Sequence, residues 1–166
     1  METPPDDELV DALARSAHQT VGVLTRVAAE HDLSLSQLRV FAILRDRRRL
    51  RMSALAAHLG VDRSTLSGLV DRAERRGLLR RASDTDDGRG VEVGLSAEGQ
   101  AFAERVAVAV RTALAPQTDG LSPDERRRLT TLLERTIADC AAAYEGRSAG
   151  WASRCSIAVP RRSVHV

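Results

Sequence analysis

Between Ser53 and Arg76 the chain fits two helical segments with almost nothing between them, and few folds accept that spacing. Ser53 to Leu59 reads as a short helix closed by Gly60, a residue that enters the left-handed conformation without steric cost. Asp62 then caps a second helix running to Arg76, with Gly77 as its terminator. Directly after Gly77 the period changes. Leu78-Leu79-Arg80-Arg81-Ala82 is followed by the polar run Ser83 to Gly90, and Val91, Val93 and Leu95 alternate as a strand does. Helix, tight turn, helix and β-hairpin with a long charged tip is the expected order.

Helical stripes flank this unit on both sides. Leu9, Leu13, Ala17, Val21, Leu24 and Ala28 recur at three- and four-residue steps and predict a first helix. Ser34 and Gln37 have capping-box spacing ahead of Leu38, Phe41 and Ala42, so a second helix ends near Arg45. Ser96 caps a helix through Phe102, Val106 and Val110 that fades near Pro116. Ser122-Pro123-Asp124-Glu125 opens a last helix through Leu129, Leu132, Leu133 and Ile137 to about Tyr144. The fold class expected is mainly α with a small β-hairpin, a winged helix-turn-helix with helices added at both ends. Three helices with more apolar stripe than one winged domain covers predict a dimer. The expected division is 1–33 N-terminal dimerisation helix, 34–95 winged DNA-binding domain, 96–145 C-terminal dimerisation helices and 146–166 a flexible tail.

Charge separates the middle of the chain from its ends. All 25 basic residues are arginine, and residues 45–90 carry twelve of them against seven acids, net +5, whereas 1–44 is net −4 and 91–166 net +1. A basic middle suits a polyanion, although from charge alone a solvated arginine face reads equally well. Plotted at about 100° per residue, the segment after Asp62 turns Leu66, Leu69, Val70 and Ala73 inward. Its outward face carries Ser64, Gly68, Asp71 and Arg75, flanked by Thr65, Ser67 and Arg72, with Arg63 at its start. Small hydroxyl residues admit a helix to a major groove, and arginine bonds guanine bidentately. Asp71 repels phosphate, so it is expected to pair with a neighbouring arginine. Arg45, Arg47, Arg48, Arg49 and Arg51 gather at the turn before the helix-turn-helix, where phosphate contact and solvated loop are equally good readings.

Other classes fit less well. With four aromatics in the chain, none alternating with arginine, no stacking platform for single strands exists, so duplex DNA is the expected partner. His18, His31, His58 and His165 lie in separate elements and no nucleophile motif is present, so no enzyme, cofactor or metal site is expected. No stretch free of charge exceeds 10 residues, as in Ser16 to Thr25, against about 18 for a membrane helix. The acidic start, Glu2 to Glu8, is unlike a secretory signal and places the chain in the cytoplasm. Cys140 and Cys155 have no metal or Cys-x-x-Cys spacing and are expected to stay reduced. A helical adaptor that never touches DNA is the competing reading.

The run from Leu33-Ser34-Leu35-Ser36-Gln37 through Ala54-Leu55-Ala56, Leu59-Gly60-Val61, Ser64-Thr65-Leu66, Leu69-Val70-Asp71-Arg72, Gly77-Leu78-Leu79-Arg80-Arg81, Asp87-Gly88-Arg89 and Leu95-Ser96 resembles the MarR family of transcriptional regulators, over about residues 10–145. That resemblance implies a homodimer gripping a pseudo-palindromic operator, usually as a repressor that releases DNA when a small effector binds. The outward face of the helix after Asp62 gives the expected DNA contacts, Arg63, Ser64, Thr65, Ser67, Gly68, Arg72 and Arg75, and the resemblance implies a wing in which Arg89, braced by Asp87, enters a minor groove. Its effector pocket lies between the first, second and fifth helices, which makes His18, Gln37 and Phe41 positional candidates. Peroxide-sensing relatives carry a reactive cysteine in the first helix; this chain has none there, leaving Cys140 as the alternative redox site.

Overall fold

A computed structural model of the chain describes residues 7–83 and 90–145. Helix α1 (Asp7–Glu30) leads into α2 (Leu35–Arg47), strand β1 (Arg49–Arg51), α3 (Met52–Leu59) and α4 (Arg63–Arg75). Strands β2 (Leu79–Ser83) and β3 (Val91–Leu95) follow, then α5 (Ala97–Leu114), a 3-10 turn (Ala115–Thr118) and α6 (Pro123–Glu145).

The boundaries sit where local chemistry puts them. Ser34 and Gln37 form the reciprocal capping box, at 3.2 Å and 2.9 Å, that starts α2. Gly60 adopts φ +67° and closes α3. The Asp62 carboxylate accepts the Thr65 amide at 2.8 Å and starts α4. Ser96 accepts the Gly99 amide at 2.8 Å and donates to the Gly77 carbonyl at 2.6 Å, tying the start of α5 to the end of α4.

The sheet is larger than the hairpin expected. Its order is β1-β3-β2, all antiparallel, with Leu50 and Arg81 both opposite Val93. Arg49–Arg51, read from sequence as part of a turn, is a strand instead. Three residues with a single apolar member, Leu50, are too few to display a period; pairing with β3, not propensity, makes the strand. Helix α2 also runs to Arg47, past the Arg45 end expected.

The core lies where α2, α3, α4, α5 and the sheet meet, around Phe41, Leu44, Leu55, Leu66, Val70 and Val93. Gly99 marks its tightest point, because a Cβ there would collide with the Leu78 carbonyl carbon and oxygen. Gly99→Ala is therefore expected to destabilise the fold by about 1–3 kcal/mol through forced separation of α5 from the α4–β2 connection. A thermal melt of the variant checks this, and an unchanged midpoint would show that the two segments separate freely.

Helix α6 has a different environment. Every described side chain from Pro123 to Ala138 is exposed, including Leu129, Leu132, Leu133 and Ile137 at helical spacing. Leu9, Val10, Leu13 and Val21 of α1 are exposed as well.

Candidate nucleic-acid interface

Helix α4 presents two chemically distinct faces. Leu66, Leu69, Val70 and Ala73 are buried against the core, and the opposite side is polar and cationic. Arg63, Ser64, Thr65, Arg72 and Arg75 are exposed, and Ser67 and Gly68 half-buried. The Arg72 guanidinium folds back over Gly68, and a Cβ at position 68 would lie 3.6 Å from its Nη1. The smallest residue of the face therefore leaves the arginine room to lie along the helix.

The hydroxyls at the amino end are held by the cap. Asp62 accepts from Ser64 Oγ at 2.5 Å and from Thr65 Oγ1 at 2.7 Å, besides the Thr65 amide. Donors converging on one carboxylate favour its charged form, and the Ser64 hydroxyl contributes most. They hold the Asp62 carboxyl well below the usual carboxylate range. Because the folded value is depressed, the cap stabilises α4 fully at neutral pH, and that contribution fades as the pH drops below the ordinary aspartate value of 3.8. The melting difference between the parent chain and Asp62→Ala is thus expected to be widest at pH 7 and to narrow by pH 3. A pH-independent gap would remove charge from the cap.

The two acidic residues within α4, Asp71 and Glu74, are paired with a cation. Arg81 of β2 bonds Asp71 at 2.5 Å and Glu74 at 2.7 Å, so Asp71 does pair with an arginine and both carboxylates of α4 turn toward the sheet. The same bonds lock α4 to the wing. The exposed charge left on α4 is that of Arg63, Arg72 and Arg75. Arg47, Arg48, Arg49 and Arg80 are exposed too. Asp87 and Arg89, expected from the sequence at the tip of the hairpin, lie outside the described residues.

A second feature sits behind the helix-turn-helix. A cavity of about 330 Å³ opens between α1, α2 and α5, walled by Leu24, Leu38, Phe41, Val106 and Val110. Arg39, Arg45 and Arg111 stand among its lining residues. Arg39 bonds the Leu59 carbonyl at 3.4 Å and Arg45 bonds Asp46 at 3.1 Å, while Arg111 is exposed. Of the sequence candidates, Phe41 is on the cavity wall. Gln37 is spent on the capping box, and His18 is exposed on α1 apart from the lining. The sequence singles out neither Arg39 nor Arg111 and reads Arg45 as part of the cluster before the helix-turn-helix; only the cavity built by α1, α2 and α5 brings the three together. The Cys140 side chain lies outside the described residues.

A polar, cationic helix held outward by a helix-turn-helix and locked to a winged sheet defines a DNA-binding regulator of the winged class. The MarR family model matches residues 33–91. The homoprotocatechuate degradative operon repressor of Escherichia coli is 28% identical over 132 residues, covering 80% of this chain and 89% of the relative. The HTH-type transcriptional regulator PecS of Dickeya dadantii is 31% identical over 133 residues, 76% of this chain and 78% of the relative. The crystal structure of wild-type apo MarR from E. coli superposes with a TM-score of 0.67 at 25% identity, covering 82% of this chain and 98% of that one. The chain belongs to the MarR family, and it is a DNA-binding transcriptional regulator. These relatives are named as regulators, not enzymes, and a DNA-free adaptor is not favoured. No helix among the described residues is long and apolar enough to cross a membrane.

Proposed function

We propose that the protein is a homodimeric, effector-responsive repressor that binds pseudo-palindromic duplex DNA in the cytoplasm. The observation that carries the proposal is α4. Its buried face is fixed to the core, and its free face joins Ser64, Thr65, Ser67 and Gly68 to Arg63, Arg72 and Arg75. A helix that is small and polar at its amino end and cationic beyond it fits a major groove, with base edges at one end and phosphates along the sides. Arg89, braced by Asp87, enters the adjacent minor groove, where the narrow groove concentrates negative potential.

In this reading residues 34–95 form the DNA-binding unit, 1–33 and 96–145 the dimerisation helices, and 146–166 a dispensable tail. Dimer formation covers the apolar stripes of α1 and α6, which the single chain leaves in water. The repressor role is supported by the E. coli relative, a degradative operon repressor. Effector response is supported by the cavity: apolar walls beside arginines suit a small carboxylate whose body is apolar. The Cys140 redox alternative has no comparable support.

A labelled duplex from the region upstream of the protein's own coding sequence, titrated with the purified chain, tests the proposal. Saturable binding that survives excess unrelated duplex and weakens when an aromatic carboxylate is added is expected. Binding no tighter than to unrelated DNA across the upstream region, in a chain that footprints nowhere in the genome, would overturn it.

A further inference from the structure

The carboxyl end of α4 is tied down by Arg76, a residue that the proposed DNA face does not include. Its guanidinium crosses to the turn after α1, where Nη1 donates to the Asp32 carbonyl at 2.9 Å and Nη2 to the His31 carbonyl at 3.4 Å. Those acceptors are 44 and 45 residues away in the chain. They point outward because Asp32 takes a left-handed conformation, φ +55°, while the Leu33 amide closes α1 on the Ala28 carbonyl at 2.8 Å. Helix α1 has no basic residue in its last turn, so its electronegative end meets Arg76 instead.

The other contacts of Arg76 make the link stiff. Its own amide bonds the Arg72 carbonyl at 3.3 Å, and the chain then turns at Gly77, φ +72°, with the Leu78 amide on the Ala73 carbonyl at 3.0 Å. The guanidinium carbon also sits 5.6 Å from the centre of the Phe102 ring on α5, and Phe102 meets Phe41 edge-on at 5.3 Å. Phe41 is a wall of the cavity. One guanidinium thus joins the end of α4, the end of α1, and the Phe102 ring, which in turn packs on the cavity-lining Phe41.

We infer that Arg76 is a positioning residue for DNA binding: it sets the angle of α4 against α1 and α5 and does not itself touch DNA. The inference rests on the reading of α4 as the recognition helix. An exposed arginine at the end of such a helix would otherwise be assigned to a phosphate, and the two roles differ measurably. A phosphate contact releases counterions, so its loss lowers the slope of log affinity against log salt by about 0.9. A strut contributes nothing to that slope. Lysine can replace arginine at a phosphate, but one ammonium cannot span two carbonyls and lie over a ring.

The test uses the full chain and a labelled duplex from its own upstream region, titrated over several salt concentrations, with the folded fraction of each variant checked by circular dichroism. Arg76→Ala and Arg76→Lys are both expected to bind about tenfold more weakly, with the parent's salt slope. In the parent, DNA binding should slow hydrogen exchange at the Leu33 and Ser34 amides, and in Arg76→Ala it should not. Phe102→Leu, which keeps both carbonyl bonds, should give a smaller loss at the same slope and covers the case in which an Arg76 variant fails to fold. A slope lowered by about 0.9 and restored by lysine would make Arg76 a phosphate contact. Unchanged affinity in both Arg76 variants would remove it from DNA binding altogether. Arg72→Ala is the control on the underlying reading: if α4 is not the recognition helix, that variant leaves affinity and slope as they were.

Discussion

A chain carrying Leu132→Asp together with Ile137→Asp is expected to be a folded monomer that binds its operator on the order of 10²–10⁴-fold more weakly than the parent. The expectation starts from where these residues are. Leu132 and Ile137 lie on the one apolar stripe of α6, they are 46% and 42% exposed in the single chain, and no described side chain of α6 is buried. Burying such a side chain is worth about 1.5–3 kcal/mol, so a stripe of four, joined by the exposed leucines and valines of α1, supplies a strong drive to associate. Two aspartates remove part of that drive and add the cost of desolvating two carboxylates. The winged core, which packs on α5 and the sheet, should keep its secondary structure. Affinity falls because each half-site then binds as a separate event, without the high effective concentration that a linked partner provides. Sedimentation and circular dichroism check the first half, and a DNA titration the second. A variant that stayed dimeric would place the interface elsewhere.

What was legible in the sequence was whatever a few neighbouring residues decide. Ser34 with Gln37, Gly60, Asp62 and Ser96 each fix a helix end by bonds within one turn, and the structure has each of them as caps or terminators. The stripe Leu66, Leu69, Val70 and Ala73 likewise predicted the buried face of α4 from period alone. Strand β1 was not legible, since its existence depends on a partner more than forty residues later, as in the Leu50 and Val93 pair. Arg76 was invisible for the same reason, its acceptors being on another helix end. The cavity arginines look like ordinary surface charge until α2 and α5 are brought side by side. Asp71 falls between these cases: its need for a cation follows from its place on the face, but the choice of Arg81 follows from the hairpin.

Removing two cations from α4 should have the second large effect. Arg72→Ala with Arg75→Ala is expected to weaken operator binding by about 1–3 kcal/mol for each arginine, roughly additively unless both touch the same phosphate. Both side chains are exposed and neither joins the core, so dimerisation and thermal stability should be nearly unchanged. The salt dependence separates their roles. An arginine on a phosphate takes about 0.9 from the log–log slope when lost, whereas one on a base edge leaves more of the slope and relaxes sequence preference at one position. Equal binding by the double variant and the parent would move recognition away from α4.

Chemical footprinting of the bound operator is the most direct examination of α4 as the recognition helix of a symmetric dimer. Methylation of guanine N7 reports the major groove, and hydroxyl-radical cleavage reports the minor groove. The arrangement predicts two protected major-groove segments on one side of the duplex with centres about 34 Å apart, one helical turn. It also predicts flanking minor-groove protection that disappears in Arg89→Ala while the major-groove protection stays. A single protected segment, or protection confined to the minor groove with every guanine N7 still reactive, would contradict it.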